Sequence, residues 1–361
     1  MTDYNEKYQT GVWSRIAYSL LVLTATAVLA FLFGYLTKRL DWMPQVTTHL
    51  ESAVKVYHDL FEDDWFKSNA WRRERTSAKG VLQHDDTRAY QGATLYVSAH
   101  EQAAVLIDME GKELYRWQRS FREIWPTAPH VAIPRNPELI VYNNARVFPD
   151  GDLIVQFRGD GGHPWGYGLV KLDKDSNVVW ALAENAHHFF DVDADGNVYA
   201  VTHVNRDSPY VPYKELKFGG MRAPYRINLP VLEDFLVILG PDGTVTRRIS
   251  LLDAFVDSPY EAALTYFGAA TDVLHVNDVD LVPDDMPEHP IFKPGQALLD
   301  MRDPGILAVL DLETEKIVWA GRGVWRGQHD PDILANGNVL IVDNRGALGK
   351  GGQTRVIEVN L

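Results

Sequence analysis

The sequence predicts an all-β fold, a β-propeller, preceded by one transmembrane helix and a short linking helix. Two repeated elements indicate the propeller. One is an apolar strand, a polar turn and a second strand that often ends on tryptophan, and the other is a shorter strand pair around a glycine turn. Several strands in a repeating pattern, with no helical pattern between them, are typical of propellers. A β-sandwich is the alternative.

The composition is that of an ordinary globular protein. Of the 361 residues, 46% are hydrophobic and 23% charged, which is enough apolar material for a sizeable core. The sequence contains no cysteine, so disulfides and thiolate metal sites are excluded. A formal net charge of -14 argues against a nucleic-acid partner, because phosphate binding usually requires a basic face.

A long apolar segment follows an N-terminal tail, residues 1–15. Residues 16–37 are 22 consecutive uncharged and mostly apolar residues, bounded by Arg15 and Lys38. A helix of that length spans about 33 Å, enough to cross a bilayer. The alternative is a cleaved signal peptide, whose apolar core is usually about 7 to 15 residues long. We therefore expect an uncleaved anchor, and the flanking charges do not decide its orientation.

Residues 38–79 are predicted to connect the anchor to the propeller. Thr48 and Glu51 have the spacing of a capping box, which marks the start of a helix. Apolar residues then recur at helical spacing, at Leu50, Ala53, Val54, Tyr57 and Phe61. The segment is predicted to be a short amphipathic helix that serves as a stalk or as a lid.

The two elements alternate through residues 80–361, the predicted propeller domain. The longer element begins at Leu106, Leu169, Leu236 and Leu307, with offsets of 63, 67 and 71 residues, and the shorter one at Phe148, Asp193 and Leu334. The C-terminal run RVIEVNL matches only the first half of a longer element. Either the chain continues beyond Leu361, or the region before Tyr96 supplies a closing strand, because an open seam exposes a sheet edge.

Polar groups precede the repeat elements at equivalent places, so circular stacking would point them at one axis. They are His187 and His188, His275 and Asn277, Arg302, and His329. His275 and Asn277 are two residues apart on an extended segment and share a face. With Arg302 they would donate hydrogen bonds to the oxygens of a tetrahedral anion. For His329 alone, a buried histidine satisfied by its neighbours is the alternative.

Four segments carry a resemblance to a known family: HHFFDVDADGNVYAV, LHVNDVDLV, DMRDPGILAVLDLETEKIVWA and RGQHDPDILANGNVLIVDN. Together they resemble the bacterial arylsulfotransferases, which move a sulfuryl group between phenols without a nucleotide sulfate donor. The resemblance implies a six-bladed periplasmic propeller in which His329 is the nucleophile and becomes a sulfohistidine. It also implies sulfate binding by Arg302 and a His-x-Asn pair at His275 and Asn277. The remaining histidine is His187 or His188.

The expected partners are therefore aryl sulfates and phenols, with the membrane contacted through residues 16–37 and no cofactor. A neutral imidazole can attack sulfur and divide the transfer into two displacements, while His275 or His188 exchanges a proton with the phenol. The phenol-contacting aromatics have no motif; the candidates are Tyr96, Trp165, Tyr167, Tyr210 and Tyr225.

Other patterns carry less weight. The segment from Asp191 imitates a calcium loop, but Thr202 stands where a bidentate glutamate is needed, so no metal site is predicted. The glycine-rich segment from Arg158 could line the channel, although a plain connector is favoured.

Two other functions remain open. One is a non-catalytic binding or assembly subunit of a membrane complex. The other is a quinoprotein-like propeller, suggested by strands that carry Trp117, Trp180 and Trp319.

Overall fold

The computed structural model describes residues 21, 23–36, 77, 80–98, 100–131, 140–159, 166–206, 217–218, 221–222, 231–266, 272–344 and 354–361. The chain divides into two compact units, residues 1–78 and residues 79–361.

In the first unit, residues 23–36 are helical and their side chains are exposed. Within the part of the chain that the structure describes, no helix combines the length and apolar character needed to cross a bilayer. The remainder of the predicted span 16–37, apart from Leu21, lies outside the described residues, and so does the predicted linking helix that begins near Thr48. The anchor and its boundaries stay predictions.

The described residues of the second unit form a β-propeller with five blades, each an antiparallel sheet. Blade 1 contains β1 (Thr94–Val97), β2 (Ala103–Ile107) and β3 (Glu113–Gln118). Blade 2 contains β4 (Val141–Val147), β5 (Leu153–Arg158), β6 (Gly166–Leu172) and β7 (Val178–Leu182). Blade 3 contains β8 (Ala186–Val192), β9 (Val198–Arg206), β12 (Val231–Leu239) and β13 (Val245–Ser250).

Blade 4 contains β14 (Val276–Leu281), β15 (Gln296–Met301), β16 (Ile306–Asp311) and β17 (Lys316–Arg322). Blade 5 contains β18 (His329–Ile333), β19 (Val339–Asp343) and β20 (Arg355–Val359). A small hairpin of two strands with two residues each, β10 (Lys217–Phe218) and β11 (Met221–Arg222), lies between β9 and β12 in the chain. A short helix α1 (Phe121–Ile124) follows blade 1, and a 3-10 helix (Glu261–Tyr266) follows blade 3.

The first strands of successive blades contact one another, as expected around a propeller axis. These contacts join β1 to β4, β4 to β8, β8 to β14, and β14 to β18. Polar residues near the starts of these strands can therefore meet across neighbouring blades.

The two repeated elements have separate structural roles. The shorter element forms the turn between the first two strands of a blade, and the longer element forms its last two strands. Gly196 and Gly337 have φ angles of 83° and 82°, a left-handed conformation that glycine adopts without a steric penalty. The hairpin predicted at Gly337 is confirmed, with its amide donating to Leu334 O at 2.8 Å.

The described residues form five blades, not the six that the resemblance implies. Of the two alternatives for closing the propeller, a closing strand from the region before Tyr96 is not formed by Thr94–Val97, which pairs with β2 in blade 1.

Buried apolar clusters fill the spaces between successive blades. Strand β12 shows how alternation achieves this packing, because neighbouring side chains of a strand point to opposite faces. Leu236 and Ile238 pack toward blade 4, whereas Val237 and Leu239 pack toward blade 2. A strand buried on both faces therefore reads as the continuous apolar run found in the sequence.

Tryptophans in the last strands of blades 1, 2 and 4 pack against the next blade. Trp117 Nε1 in β3 donates to Gly151 O in blade 2 at 3.0 Å, and Trp180 Nε1 in β7 donates to Pro241 O in blade 3 at 3.1 Å. Trp319 packs against the cluster between blades 4 and 5. These contacts account for the recurring tryptophans by packing between blades.

Candidate functional site

The first strands of four blades are irregular near their N-terminal ends. The pairing register shifts between Tyr142 and Asn144 in β4, Ala186 and Phe190 in β8, Val276 and Asp278 in β14, and His329 and Asp332 in β18. Such bulges bend a strand and redirect a side chain. His188 and His275 also have positive φ angles, 59° and 50°, which is uncommon for residues other than glycine.

The ring of His188 lies close to two other histidines, one from each of the next two blades. The centre of its ring is 5.1 Å from that of His275 and 6.0 Å from that of His329. His188 is carried by β8, His275 directly precedes β14, and His329 begins β18. The contact of β14 with both β8 and β18 explains why residues about 140 positions apart in sequence meet.

His187 occupies a different environment from His188. Its Nε2 lies 3.3 Å from Asp234 Oδ1, with both side chains fully buried, and its ring centre is 5.4 Å from that of His203. His187 Nδ1 is 2.9 Å from His188 Nδ1. Of the two histidines left open by the sequence, His188 therefore adjoins His275 and His329, and His187 packs behind it.

The Nδ1 atom of His329 is held by its surroundings. It lies 3.1 Å from Gly327 O and 3.0 Å from the side-chain amide of Asn344. The two contacts require opposite tautomers, because a backbone carbonyl only accepts hydrogen bonds and an amide NH2 only donates them. We assign the proton to Nδ1 on the contact with Gly327 O, so that the Asn344 amide is a close neighbour of Nδ1 and not its hydrogen-bond partner. The lone pair is then on Nε2. Asn344 was not among the residues singled out in the sequence, although it directly follows the last strand residue of the hairpin.

Burial keeps both central rings neutral. Desolvation lowers the pKa of His329 to about 4, assisted by the charges of Arg302, His275 and Arg158 and opposed by the hydrogen bond to Gly327 O. The pKa of His188 lies well below its ordinary value, first through burial and then through its histidine neighbours and Arg158. A neutral imidazole is a nucleophile or a hydrogen-bonding group, not a cation.

His275 is paired with a carboxylate. Its Nδ1 lies 2.5 Å from Asp272 Oδ2, and both residues are buried. Asp272 carries no signal in the sequence, because a single aspartate three residues before a histidine in a loop has no motif.

Arg302 connects to both His275 and the nearby acid Asp303. Its main-chain amide donates to His275 O at 3.1 Å, and its Nη1 donates to Asp303 Oδ1 at 2.7 Å. The guanidinium is also close enough to lower the pKa of His329. A second arginine, Arg158, at the C-terminal end of β5, acts on the same histidine. The sequence signal for Arg158 was its place at the start of the glycine-rich segment, which we interpreted as a connector.

The side chain of Asn277 links blade 4 to the loop before blade 5. Its side-chain amide donates to Gln328 O at 2.7 Å, and Gln328 Nε2 donates to Met301 O at 3.1 Å. Asn277 and Gln328 are fully buried. In this structure Asn277 therefore fixes the loop that leads into His329.

One group of described residues has the spacing of metal ligands. The ligand atoms of Asp272, His275 and Asp303 lie within 4.8 Å of one another. Two of these groups are already engaged with each other, and Asp303 is in an ion pair with Arg302. The three could hold a divalent cation only by giving up these contacts.

The aromatic candidates divide between the core and the surface. Tyr167 is 1% exposed and belongs to the core between blades 1 and 2, while Tyr96 in β1 is 43% exposed. The other three candidates, Trp165, Tyr210 and Tyr225, lie outside the described residues.

Family comparison gives the class of the protein. The model of the arylsulfotransferase (ASST) family matches residues 144–349, more than half of the chain. The chain belongs to the arylsulfotransferase family. The matched stretch contains His187, His188, His275, Arg302 and His329.

Similar folds occur among solved structures at low identity. A protein of unknown function from Bacteroides caccae is 14% identical with a TM-score of 0.41, each chain being covered over 74% of its length. Hydrazine synthase from Kuenenia stuttgartiensis is 9% identical with a TM-score of 0.43, covering 74% of this chain and 68% of that one. Regucalcin from Agrobacterium tumefaciens is 11% identical with a TM-score of 0.42, covering 74% and 72%. A comparison with curated proteins returned no match. Similarities this remote do not bear on the function of this chain.

Proposed function

We propose that this protein transfers a sulfuryl group from an aryl sulfate ester to a phenolic acceptor, with a sulfohistidine formed on His329. The main support is the cluster in which neutral His188 lies close to both His275 and His329. Membership of the arylsulfotransferase family supports the same chemistry.

His329 is suited to attack sulfur through Nε2. Its pKa of about 4 leaves the ring neutral at ordinary pH, and its Nδ1 is engaged by Gly327 O. In the first displacement, Nε2 forms a bond to sulfur and the bond from sulfur to the aryl oxygen breaks. In the second, the acceptor oxygen bonds to sulfur and His329 is released.

The surrounding groups would stabilise the sulfuryl oxygens during transfer. Arg302 and Arg158 supply positive charge close enough to influence His329, and His188 can donate a hydrogen bond from a neutral ring. Donors fixed in a buried site stabilise developing charge without a reorganisation cost. Asn277 contributes by holding Gln328 and, through it, the loop of His329.

We further propose that residues 16–37 anchor the enzyme in the plasma membrane, with the propeller on the periplasmic side. The support is the uncharged apolar run of 22 residues, long enough to cross a bilayer when helical. The aryl sulfate and phenol would then be drawn from the extracytoplasmic compartment.

The decisive experiment compares His329→Ala with a matched histidine control, His84→Ala. His84 is an exposed residue before β1 that pairs with Asp86. Full-length proteins are incubated with a chromogenic aryl sulfate, with and without a phenol. We expect His84→Ala to retain transfer and to form an acid-labile sulfuryl adduct with the donor alone. His329→Ala should show neither.

A second set of variants tests the oxygen-binding groups. Arg302→Ala and His275→Ala should fold yet transfer about 10² to 10³ times more slowly, the loss typical of one oxyanion-stabilising donor. If the wild-type protein binds aryl sulfates without turnover, the protein is a binding module and the proposed function is wrong. If His329→Ala retains the adduct, another residue is the nucleophile.

A further inference from the structure

The carboxylate of Asp272 is placed to control the chemistry of His275. The distance of 2.5 Å from Asp272 Oδ2 to His275 Nδ1 is that of a short hydrogen bond. Asp272 is 7% exposed and His275 3%, so little water competes for the contact. The backbone of Asp272 forms an isolated parallel bridge to Leu232 in β12, which fixes the carboxylate between blades 3 and 4.

A carboxylate on Nδ1 fixes both the orientation and the proton position of an imidazole. The Nδ1 proton is donated to the carboxylate, which leaves Nε2 as the atom that gains or loses a proton. The carboxylate also stabilises the doubly protonated ring. His275 is thereby suited to act as an acid and then as a base.

The other histidines of the site are less suited to this task. His329 is the proposed nucleophile, and His188 stays neutral because burial and neighbouring histidines oppose its protonation. His187 also lies near a carboxylate, Asp234, but at 3.3 Å with no exposed side-chain surface, and it packs behind His188. The acid assigned to either His275 or His188 from the sequence is therefore His275.

We propose that Asp272 is a positioning residue that holds His275 as the proton donor to the departing aryl oxygen, so that the site accepts sulfate esters of unactivated phenols. This inference rests on the proposed sulfuryl transfer. Nothing in the family resemblance or in the sequence motifs selects Asp272.

The proton and electron pairs balance over the two displacements. As His329 Nε2 bonds to sulfur, the electron pair of the breaking bond goes to the aryl oxygen, which takes the proton from Nε2 of doubly protonated His275. A phenol is released and His275 is neutral. The acceptor phenol then gives its proton to His275 Nε2, its oxygen bonds to sulfur, and the electron pair of the N–S bond returns to His329.

The substrate class follows from the need for that proton. An ordinary phenol has a pKa of about 10, so its anion is a poor leaving group in neutral solution and gains most from protonation in the transition state. General acid catalysis of this kind contributes roughly 10² to 10⁴ in rate. A nitrophenolate is already a stable anion and gains little. An enzyme that acted only on activated esters would not need the Asp272–His275 pair.

The test is the dependence of rate on the leaving group. Full-length wild-type protein, Asp272→Asn and the exposed control Asp284→Asn are assayed for adduct formation with 4-nitrophenyl, 4-chlorophenyl, phenyl and 4-methylphenyl sulfate. We expect the rate of adduct formation by Asp272→Asn to fall least with the nitrophenyl ester, and to fall by a factor about 10² larger with the phenyl ester. Asp284→Asn should follow the wild-type line, and Asp272→Glu should recover part of the rate with the phenyl ester.

Several results would overturn the proposal. An equal loss with every donor would show that Asp272 only maintains the structure. Loss of wild-type activity with a chelator, restored by zinc, would make Asp272 a metal ligand. Should Asp272→Asn not fold, His275→Gln must show the same steep dependence on leaving group, and a uniform loss would count against the inference. Absence of adduct in the wild-type protein with all four esters is a separate outcome that refutes the proposed function itself.

Discussion

Burial of the His329 ring predicts a measurable cost to stability in acid. The pKa of His329 falls from 6.5 to about 4, mainly through desolvation. Between these values the unfolded chain binds a proton that the folded protein does not, so the free energy of unfolding must fall as the pH drops through this window. The free energy of unfolding is not reduced by this group above about pH 6.5, the pKa of histidine in the unfolded chain.

The magnitude follows from the shift. One pKa unit corresponds to about 1.4 kcal/mol, and at about pH 4.5 nearly two units of the shift are expressed. His329 alone should therefore destabilise the protein by about 2.5 kcal/mol at about pH 4.5 relative to about pH 8. Replacing it with glutamine removes the titrating group and should remove this part of the pH dependence.

The measurement compares urea unfolding of the full-length wild-type protein and His329→Gln at the two pH values. The 10 tryptophans of the chain provide a fluorescence signal. Other perturbed groups remain in both proteins, including buried His188 and Asp280, whose raised pKa of about 7 acts in the opposite direction. The difference between the two proteins isolates His329. His84→Gln serves as a control that should follow the wild-type curve. If wild type and His329→Gln lose the same free energy between the two pH values, the ring is not held neutral by burial.

Two further predictions follow from other parts of the molecule. Gly166→Ala should destabilise the protein by about 1 to 3 kcal/mol in thermal unfolding, because an added Cβ would lie 2.1 Å from Ala186 O, next to the histidine pair. In the control Gly92→Ala the added Cβ meets no atom within 4 Å, so its effect on stability should be close to zero. Equal losses of stability in the two variants would contradict the argument. If the anchor at residues 16–37 places the propeller in the periplasm, protease added to intact spheroplasts should remove the propeller, and protection until lysis would refute that orientation.

The propeller could be predicted because the strand and turn pattern that identifies a blade is local in the sequence. Each blade has the same alternation of strand and turn, and turns such as that around Gly337 determine their own geometry. The number of blades was not visible, since it depends on how far each sheet turns relative to the next. The count of six came from the resemblance alone, and the described residues form five blades.

The candidate residues were found because histidines and an arginine before strands are unusual. Their partners were not found, because a single aspartate or asparagine in a loop has no motif in the sequence. Asp272 and Asn344 are ordinary loop residues in sequence, and only the structure places them on the rings of His275 and His329. The distinction between His187 and His188 also needed the structure, since it depends on the bulge in β8 and on the positive φ of His188.

The site requires only part of the ring. His188, His275 and His329 come from three consecutive blades, and β14 contacts the first strands on both sides. Bulges at the same end of these strands redirect the side chains, and Asn277 ties blade 4 to the loop of blade 5. The arrangement therefore depends on neighbouring blades and local backbone shape, not on how many blades close the circle. This independence explains how the five blades of the described residues can carry the residue pattern of a family for which six were expected.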